Sequence, residues 1–180
     1  MSTHVCGWRV KLITTHRDLF RPPPKAPILA QGYPECGPGW RDLIERACDR
    51  ISAMLGSEER VEILQIKEKY GTLRVYWRGK VSERSKQTVE GIIALAEARS
   101  ATTCEQCGEK GRLYRAGGVP MTRCPAHAKG QSVPIKAGLE NVHIVQSIVD
   151  GRLSVTCRRY DRDTDSFIDV GPLSLGMENG

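Results

Sequence analysis

The sequence predicts an α+β fold: a helix–hairpin–helix unit, then a zinc ribbon, then a C-terminal β-meander. Three observations carry this expectation. Two stretches repeat apolar residues at helical spacing, two β-branched runs lie between them, and two Cys/His pairs recur downstream at metal-ligand spacing. At 180 residues the chain is long enough for one domain with a small appendage. The order of the elements divides it into an extended N-terminal arm (1–32), a small α+β domain (33–100), a ribbon (101–130) and a β-hairpin or meander segment (131–180).

Residues 1–32 contain RPPPKAP, and three consecutive prolines impose extended geometry and exclude helix or central strand. That predicts an arm. The first helix is read in GPGWRDLIERACDRISAMLG, where Trp40, Leu43, Ile44, Ala47, Ile51, Met54 and Leu55 form an apolar stripe. Arg41, Asp42, Glu45, Arg46, Asp49 and Arg50 lie off it. Pro38 near the start and Gly56 past the end supply the punctuation.

In VEILQIKEKYGTLRVYW, residues 61–66 and 73–77 read as strands of a hairpin joined through 67–71. Alternation sends Leu73, Val75 and Trp77 to the core and Arg74, Tyr76 and Arg78 to the opposite, basic and aromatic face. The second helix, SERSKQTVEGIIALAEARS, carries Val89, Ile92, Ile93 and Ala96 as its stripe, with Ser82 or Ser85 as cap. Beyond the Cys/His segment, NVHIVQSIVDGRLSVTCRRYDRDTDSFIDVG holds two β runs joined by Asp150-Gly151, a strong hairpin signal, and a third run, SFIDV.

The segment TTCEQCGEKGRLYRAGGVPMTRCPAHA places Cys104 and Cys107 three apart, then Cys124 and His127 three apart, with sixteen residues between the pairs. Each tight turn puts two donors on one side, and four N/S donors close a tetrahedron around one structural zinc ion. Filling all four positions from the protein leaves no water to activate. A redox dithiol wants a strand-to-helix context and no second pair, and an iron–sulfur cluster normally takes four Cys.

Other chemistries lack their residues. No HxE motif accompanies the CxxC as a zinc deaminase requires, and neither GxxxxGK[ST] nor GxGxxG occurs. Asp161, Asp163 and Asp165 resemble the start of a calcium loop, but Ser166 and Pro172 stand where Gly and Glu are needed, so they read as a solvated turn. His4, His16 and His143 stand apart from one another and read as surface or core groups. Cys6, Cys36, Cys48 and Cys157 read as ordinary small side chains. No small-molecule substrate and no catalytic constellation is evident, so the expectation is a protein that is not an enzyme.

The net charge is +6, and its excess is local: residues 1–32 carry five basic and one acidic side chain, residues 101–130 five and two. No run of apolar residues is long enough to span a membrane, and no export signal is read at the N-terminus. Together with an odd number of Cys, seven, this predicts a cytoplasmic protein with reduced thiols.

The series ECGPGWRDLIERACDRI, QIKEKYGTLRVYW, AEARSATTCEQCG and TRCPAHA is similar to a family of uncharacterised proteins of tailed phages and prophages. Its recurring pattern looks like ECGDGW with an amphipathic helix, a KEKFGTLRFY hairpin, a second helix and a CxxCG zinc knuckle. HRDLF, near the N-terminus, resembles that family's opening segment. The resemblance covers about residues 16 to 128. The chain departs in Pro38, where Asp is usual, and Tyr70, where Phe is usual. The resemblance implies a phage-like setting in the cytoplasm of a bacterial host and brings no activity with it.

Two functions follow as expectations. One is a non-catalytic module that binds nucleic acid or a nucleic-acid-processing machine through Arg112, Tyr114, Arg115 and Arg123, extended by Arg74, Tyr76 and Arg78. Basic groups supply phosphate contacts and aromatic rings can stack on bases. The other is a phage-encoded inhibitor that binds a host protein complex, for example a defence component.

Overall fold

The structure is a computed structural model and describes residues 7–149 and 152–171. Among these residues it is a mixed α+β arrangement of four α-helices and three small sheets. The helices are α1 (Trp8–Thr15), α2 (Arg17–Phe20), α3 (Arg41–Met54) and α4 (Glu83–Ser100). The strands are β1 (Pro34–Glu35), β2 (Arg60–Lys69), β3 (Thr72–Lys80), β4 (Arg112–Ala116), β5 (Val119–Arg123), β6 (Gln131–Ser132), β7 (Val142–Val149), β8 (Arg152–Asp161) and β9 (Ser166–Val170). The sheets run in the orders β1-β2-β3, β5-β4-β6 and β7-β8-β9.

The N-terminal segment is not the extended arm that its prolines suggest. The helices α1 and α2 precede RPPPKAP, which begins only at Arg21, and they bury Leu12, Ile13, Leu19 and Phe20 in the main core. The prolines constrain only their own residues, and the apolar groups upstream decide where the segment packs. Arg9 ties it down further: its Nε donates to the Pro34 carbonyl at 2.9 Å, and its Nη2 donates to the Cys36 carbonyl. His16, between α1 and α2, meets Ser52 Oγ at 3.1 Å and Asp49 Oδ1 at 3.3 Å on α3.

The core lies between α1–α3 on one side, the β2–β3 hairpin, and α4. Leu43, Ile44 and Ile51 of α3 meet Val61, Ile63, Ile66 and Leu73 of the hairpin and Val89, Ile93 and Ala96 of α4. Trp40, which sits in a short 3₁₀ turn before α3, is completely buried. Ser82 caps α4 by accepting from the Ser85 N–H at 3.2 Å.

The hairpin differs from expectation in two ways. Its strands run on to Lys69 and from Thr72, so the loop is only Tyr70-Gly71, with φ 55° and 81°. Two consecutive positive φ values give the twist of a primed turn, which holds two strands tightly together. The register also shifts between Ile63 and Gln65, a bulge at Leu64. The extra residue changes the phase of β2, so that Val61, Ile63 and Ile66 all reach the core although their spacing is not strictly even. On β3, Leu73 is buried, while Val75 and Trp77 are half-buried and packed against the core; Tyr76 and Arg78 are exposed.

The β7–β9 sheet is a meander, and the Asp150-Gly151 turn predicted to join its first two strands lies outside the described residues. It is tied to the core through polar groups. Asp165, expected in a solvated turn, accepts from Arg50 Nη2 at 2.8 Å, Arg99 Nη1 at 3.2 Å and the Tyr160 hydroxyl at 2.8 Å. Burial alone would raise the Asp165 carboxyl, but the Tyr160 and Arg50 bonds and the Arg99 charge outweigh it and hold it below the usual carboxylate range. Arg162 donates to the Thr102 carbonyl at 3.0 Å, where α4 ends. The Arg50, Arg99 and Arg162 contacts join residues more than fifty positions apart, a separation that local patterning does not encode.

Trp40 and Trp77 differ in burial, so they should differ in cost. Trp40→Ala should lower unfolding stability by about 3–5 kcal/mol and Trp77→Ala by distinctly less. Urea titrations of the two variants test this, and equal losses would contradict the packing described.

Candidate metal centre and the surfaces around it

The centre is built where α4 stops. Thr102 Oγ1 and Thr103 Oγ1 both donate to the Arg99 carbonyl, at 3.0 and 2.8 Å. These side chains occupy an acceptor that a further helical turn would use, and α4 stops at Ser100, just before Cys104. The Gly108 N–H then donates to the Cys104 carbonyl at 2.8 Å, and Gly108 has φ 83°, a left-handed conformation that favours glycine. The Cys104 N–H donates to the Glu109 carbonyl at 2.8 Å, which closes the turn. The β4–β5 pair carries the chain out and back, with Arg112 opposite Arg123, and delivers Cys124 to the same place. There the His127 N–H donates to the Cys124 carbonyl at 3.0 Å.

This brings one atom each of Cys104, Cys107, Cys124 and His127 within 4.8 Å of one another, a group that could hold a metal ion. Cys104 Sγ lies 3.7 Å from His127 Nδ1, Cys107 Sγ 3.7 Å from Cys124 Sγ, and Cys124 Sγ 3.3 Å from His127 Nδ1. A tetrahedron with arms of about 2.3 Å has edges of about 3.8 Å, so the donors stand near the separation that a bound ion such as zinc would need. Cys104 is fully buried and Cys124 nearly so, while Cys107 is exposed. Burial pushes the Cys104 thiol up, but the backbone N–H groups of Cys124, Cys107 and Gln106 outweigh it and bring it down to about 6. A thiolate is the ligand form, and these amides favour it.

The turn is pressed against the segment Gly37–Trp40. The Gly39 N–H donates to the Glu105 carbonyl at 2.8 Å, the Gly37 N–H to Glu105 Oε1 at 2.8 Å, and the Trp40 indole N–H to the Thr103 carbonyl at 2.9 Å. The approach leaves no room for side chains. A Cβ on Gly39 would lie 2.2 Å from the Cys104 carbonyl oxygen and 2.4 Å from the Gly108 nitrogen, and one on Gly37 would lie 2.3 Å from the Glu105 carbonyl oxygen. Beside it, Cys36 is buried, and burial first and the Glu105 charge second push its thiol up to about 12, so it stays protonated.

The hairpin turn meets the same region from the other side. Thr122 Oγ1, buried, donates to the Gly71 carbonyl at 2.6 Å, and a Cβ on Gly71 would lie 2.6 Å from Leu113 Cδ1. β6, at 131–132, pairs with β4, so the first residues assigned to the C-terminal part belong to this sheet.

The predicted binding residues do not form one surface. Arg123 is committed to structure: its Nη1 binds Glu105 Oε2 at 2.8 Å, with both side chains largely buried. Arg112 and Arg115 are both exposed but three positions apart on β4, hence on opposite faces. Tyr114 shares the Arg112 face, opposite Met121, and is half-buried. Arg74, Tyr76 and Arg78 do share one face of β3. Arg74 Nη1 bonds Thr72 Oγ1 at 2.7 Å and the Leu73 carbonyl at 2.6 Å, and Arg78 Nε bonds Glu62 Oε2 at 2.9 Å. Sequence reasoning missed Glu105, Gly37, Gly39 and Thr103 as parts of the centre. The available signals were a carboxylate inside the CxxC turn and a Gly-x-Gly just before a Trp.

Comparisons with protein-family models, with curated proteins and with solved structures found no match to this chain.

Purified protein should carry one equivalent of metal per chain by elemental analysis. Gly39→Ala should destabilise it by about 1–3 kcal/mol, since the added methyl meets backbone atoms that cannot yield cheaply. It should also weaken metal retention against a chelator. Full stability and unchanged retention in that variant would contradict the close approach.

Proposed function

We propose that the chain is a zinc-stabilised, non-catalytic module of phage type that binds single-stranded nucleic acid on the outer face of the β2–β3 hairpin. In this reading the β4–β5 pair with its Cys/His turns is a zinc ribbon, and α3, the hairpin and α4 are a helix–hairpin–helix unit braced by it. The S₃N donor set favours zinc. Four protein donors complete its shell, so its role is structural.

One observation carries the choice of face. The two exposed large aromatic residues among the described residues, Tyr70 and Tyr76, both belong to this hairpin. Each has a lysine over its ring: Lys67 Nζ lies 5.3 Å from the Tyr76 centroid and Lys69 Nζ 5.4 Å from that of Tyr70. Arg74 and Arg78 stand on the Tyr76 face. Exposed rings flanked by cations suit a chain that alternates flat bases with phosphates, because each base has a face to stack and each phosphate a charge to pair. The exposed Arg112 and Arg115, which have no ion-pair partner among the described residues, would extend the positive field, without forming the continuous surface that their spacing suggested.

A second reading has its own support. Ile28 and Leu29, adjacent in a short 3₁₀ turn, are 63% and 68% exposed. Neighbouring apolar side chains left in water suit a protein partner, such as a host complex that the chain would inhibit.

The test is a fluorescence titration with single- and double-stranded DNA and RNA from low to physiological salt. Binding should prefer single strands and weaken steeply with salt. Tyr76→Ala should cost about 1–3 kcal/mol of affinity, the range for one stacked base. Absence of binding to every nucleic acid at low salt would overturn this reading in favour of the protein partner.

A further inference from the structure

Where the hairpin meets the C-terminal meander there is a cleft of about 270 Å³, lined by Thr72 and Arg74 of β3, Glu97 of α4, His143 of β7, Arg158 of β8 and Phe167 of β9. Resting on the reading of the hairpin as a nucleic-acid surface, we propose that this cleft receives a single guanine base from the bound strand. Arg74 belongs both to the outer face of the hairpin and to the cleft, so a strand tracking the first reaches the second without a break.

The chemistry of the lining selects the base. Arg74 Nη1 stands 3.9 Å from Glu97 Oε2, which places a cationic donor beside an anionic acceptor at the edge of the cleft. Guanine presents the complementary order along one edge: O6 accepts, and the neighbouring N1–H and exocyclic amine donate. Adenine offers its amine where guanine has O6, and thymine or uracil has only one N–H between two carbonyls. Cytosine presents one amine followed by two acceptors, so only guanine gives a carboxylate two neighbouring donors while an arginine meets the adjoining acceptor. The contacts Arg74 makes to Thr72, Leu73 and Glu97 all use Nη1, and the other edge of the guanidinium fork is the one required here.

The remaining walls suit the ring and its phosphate. Phe167 stands edge-on to His143, with centroids 5.5 Å apart, and the Arg158 guanidinium lies 5.7 Å over the Phe167 ring. Aromatic and guanidinium planes are the surfaces on which unstacked bases are held. Arg158 also donates to Asp169 at 2.9 Å, and both groups are exposed enough for a phosphate to compete for the cation. The volume admits one base and not a duplex, in keeping with a single-stranded ligand.

The experiment uses the full chain and oligonucleotides of uniform thymine, and of uniform uracil, with or without one central guanine, together with free guanosine monophosphate. The single guanine should tighten binding by about tenfold or more, the selectivity expected of one well-matched polar pair. An adenine at the same position should not. Glu97→Gln should bring the guanine-to-thymine affinity ratio to near one, and Phe167→Leu should reduce it, with metal content and far-UV circular dichroism confirming folded protein. A guanine preference in the DNA, the RNA or the free nucleotide alone identifies which form the cleft takes. Binding of single strands with no guanine preference, or with a preference that survives Glu97→Gln, would overturn the cleft while leaving the hairpin reading standing. Failure of every strand to bind would overturn both.

Discussion

Everything in the described part of the molecule hangs on one close approach: the backbone of Gly37–Gly39 against the backbone of the Cys104–Gly108 turn. Two peptide segments separated by more than sixty residues touch without intervening side chains, and three bonds hold them, from Gly37, Gly39 and Trp40 to Glu105 and Thr103. Such contact satisfies polar groups that burial would otherwise leave costly. It also means that neither side can keep its shape without the other. The turn that gathers the Cys/His donors is one wall of the socket that holds Trp40, and Trp40 is a fully buried member of the hydrophobic core.

Glu105 sits at the centre of this arrangement. Its carboxylate accepts from the Gly37 N–H and from Arg123, its carbonyl accepts from the Gly39 N–H, and its own N–H reaches the Thr122 carbonyl at 3.2 Å. Thr122 in turn holds the hairpin turn at Gly71. A path of direct contacts therefore joins the metal turn, the start of α3 and the tip of β2–β3. Three sequence motifs, ECGPGW, KYGTL and CEQCG, are separate words in the sequence and one contact region in space.

How much of this was legible depended on whether a residue's role is set by its near neighbours. Trp40, Ile44, Ile51, Val89 and Ile93 show their burial through helical spacing, and the Cys104, Cys107, Cys124 and His127 donors show theirs through paired turns. The core helices α1 and α2 were masked by the prolines that follow them, because their apolar residues are few and their length is short. The bulge at Leu64 left no periodic trace, since it breaks the very alternation by which a strand is recognised. Arg123 and Asp165 were misread for a common reason. A charged side chain looks free in sequence until its partner, here Glu105 or Arg50 and Arg99, arrives from a distant element.

The most direct test of the central contact is hydrogen–deuterium exchange across the chain before and after removal of the metal by a chelator. The account predicts that protection falls in two places together, within residues 102–130 and within residues 35–44, because the Gly37–Trp40 segment loses its wall when the turn loosens. Loss of protection confined to residues 102–130, with the amides of 35–44 unchanged, would contradict it.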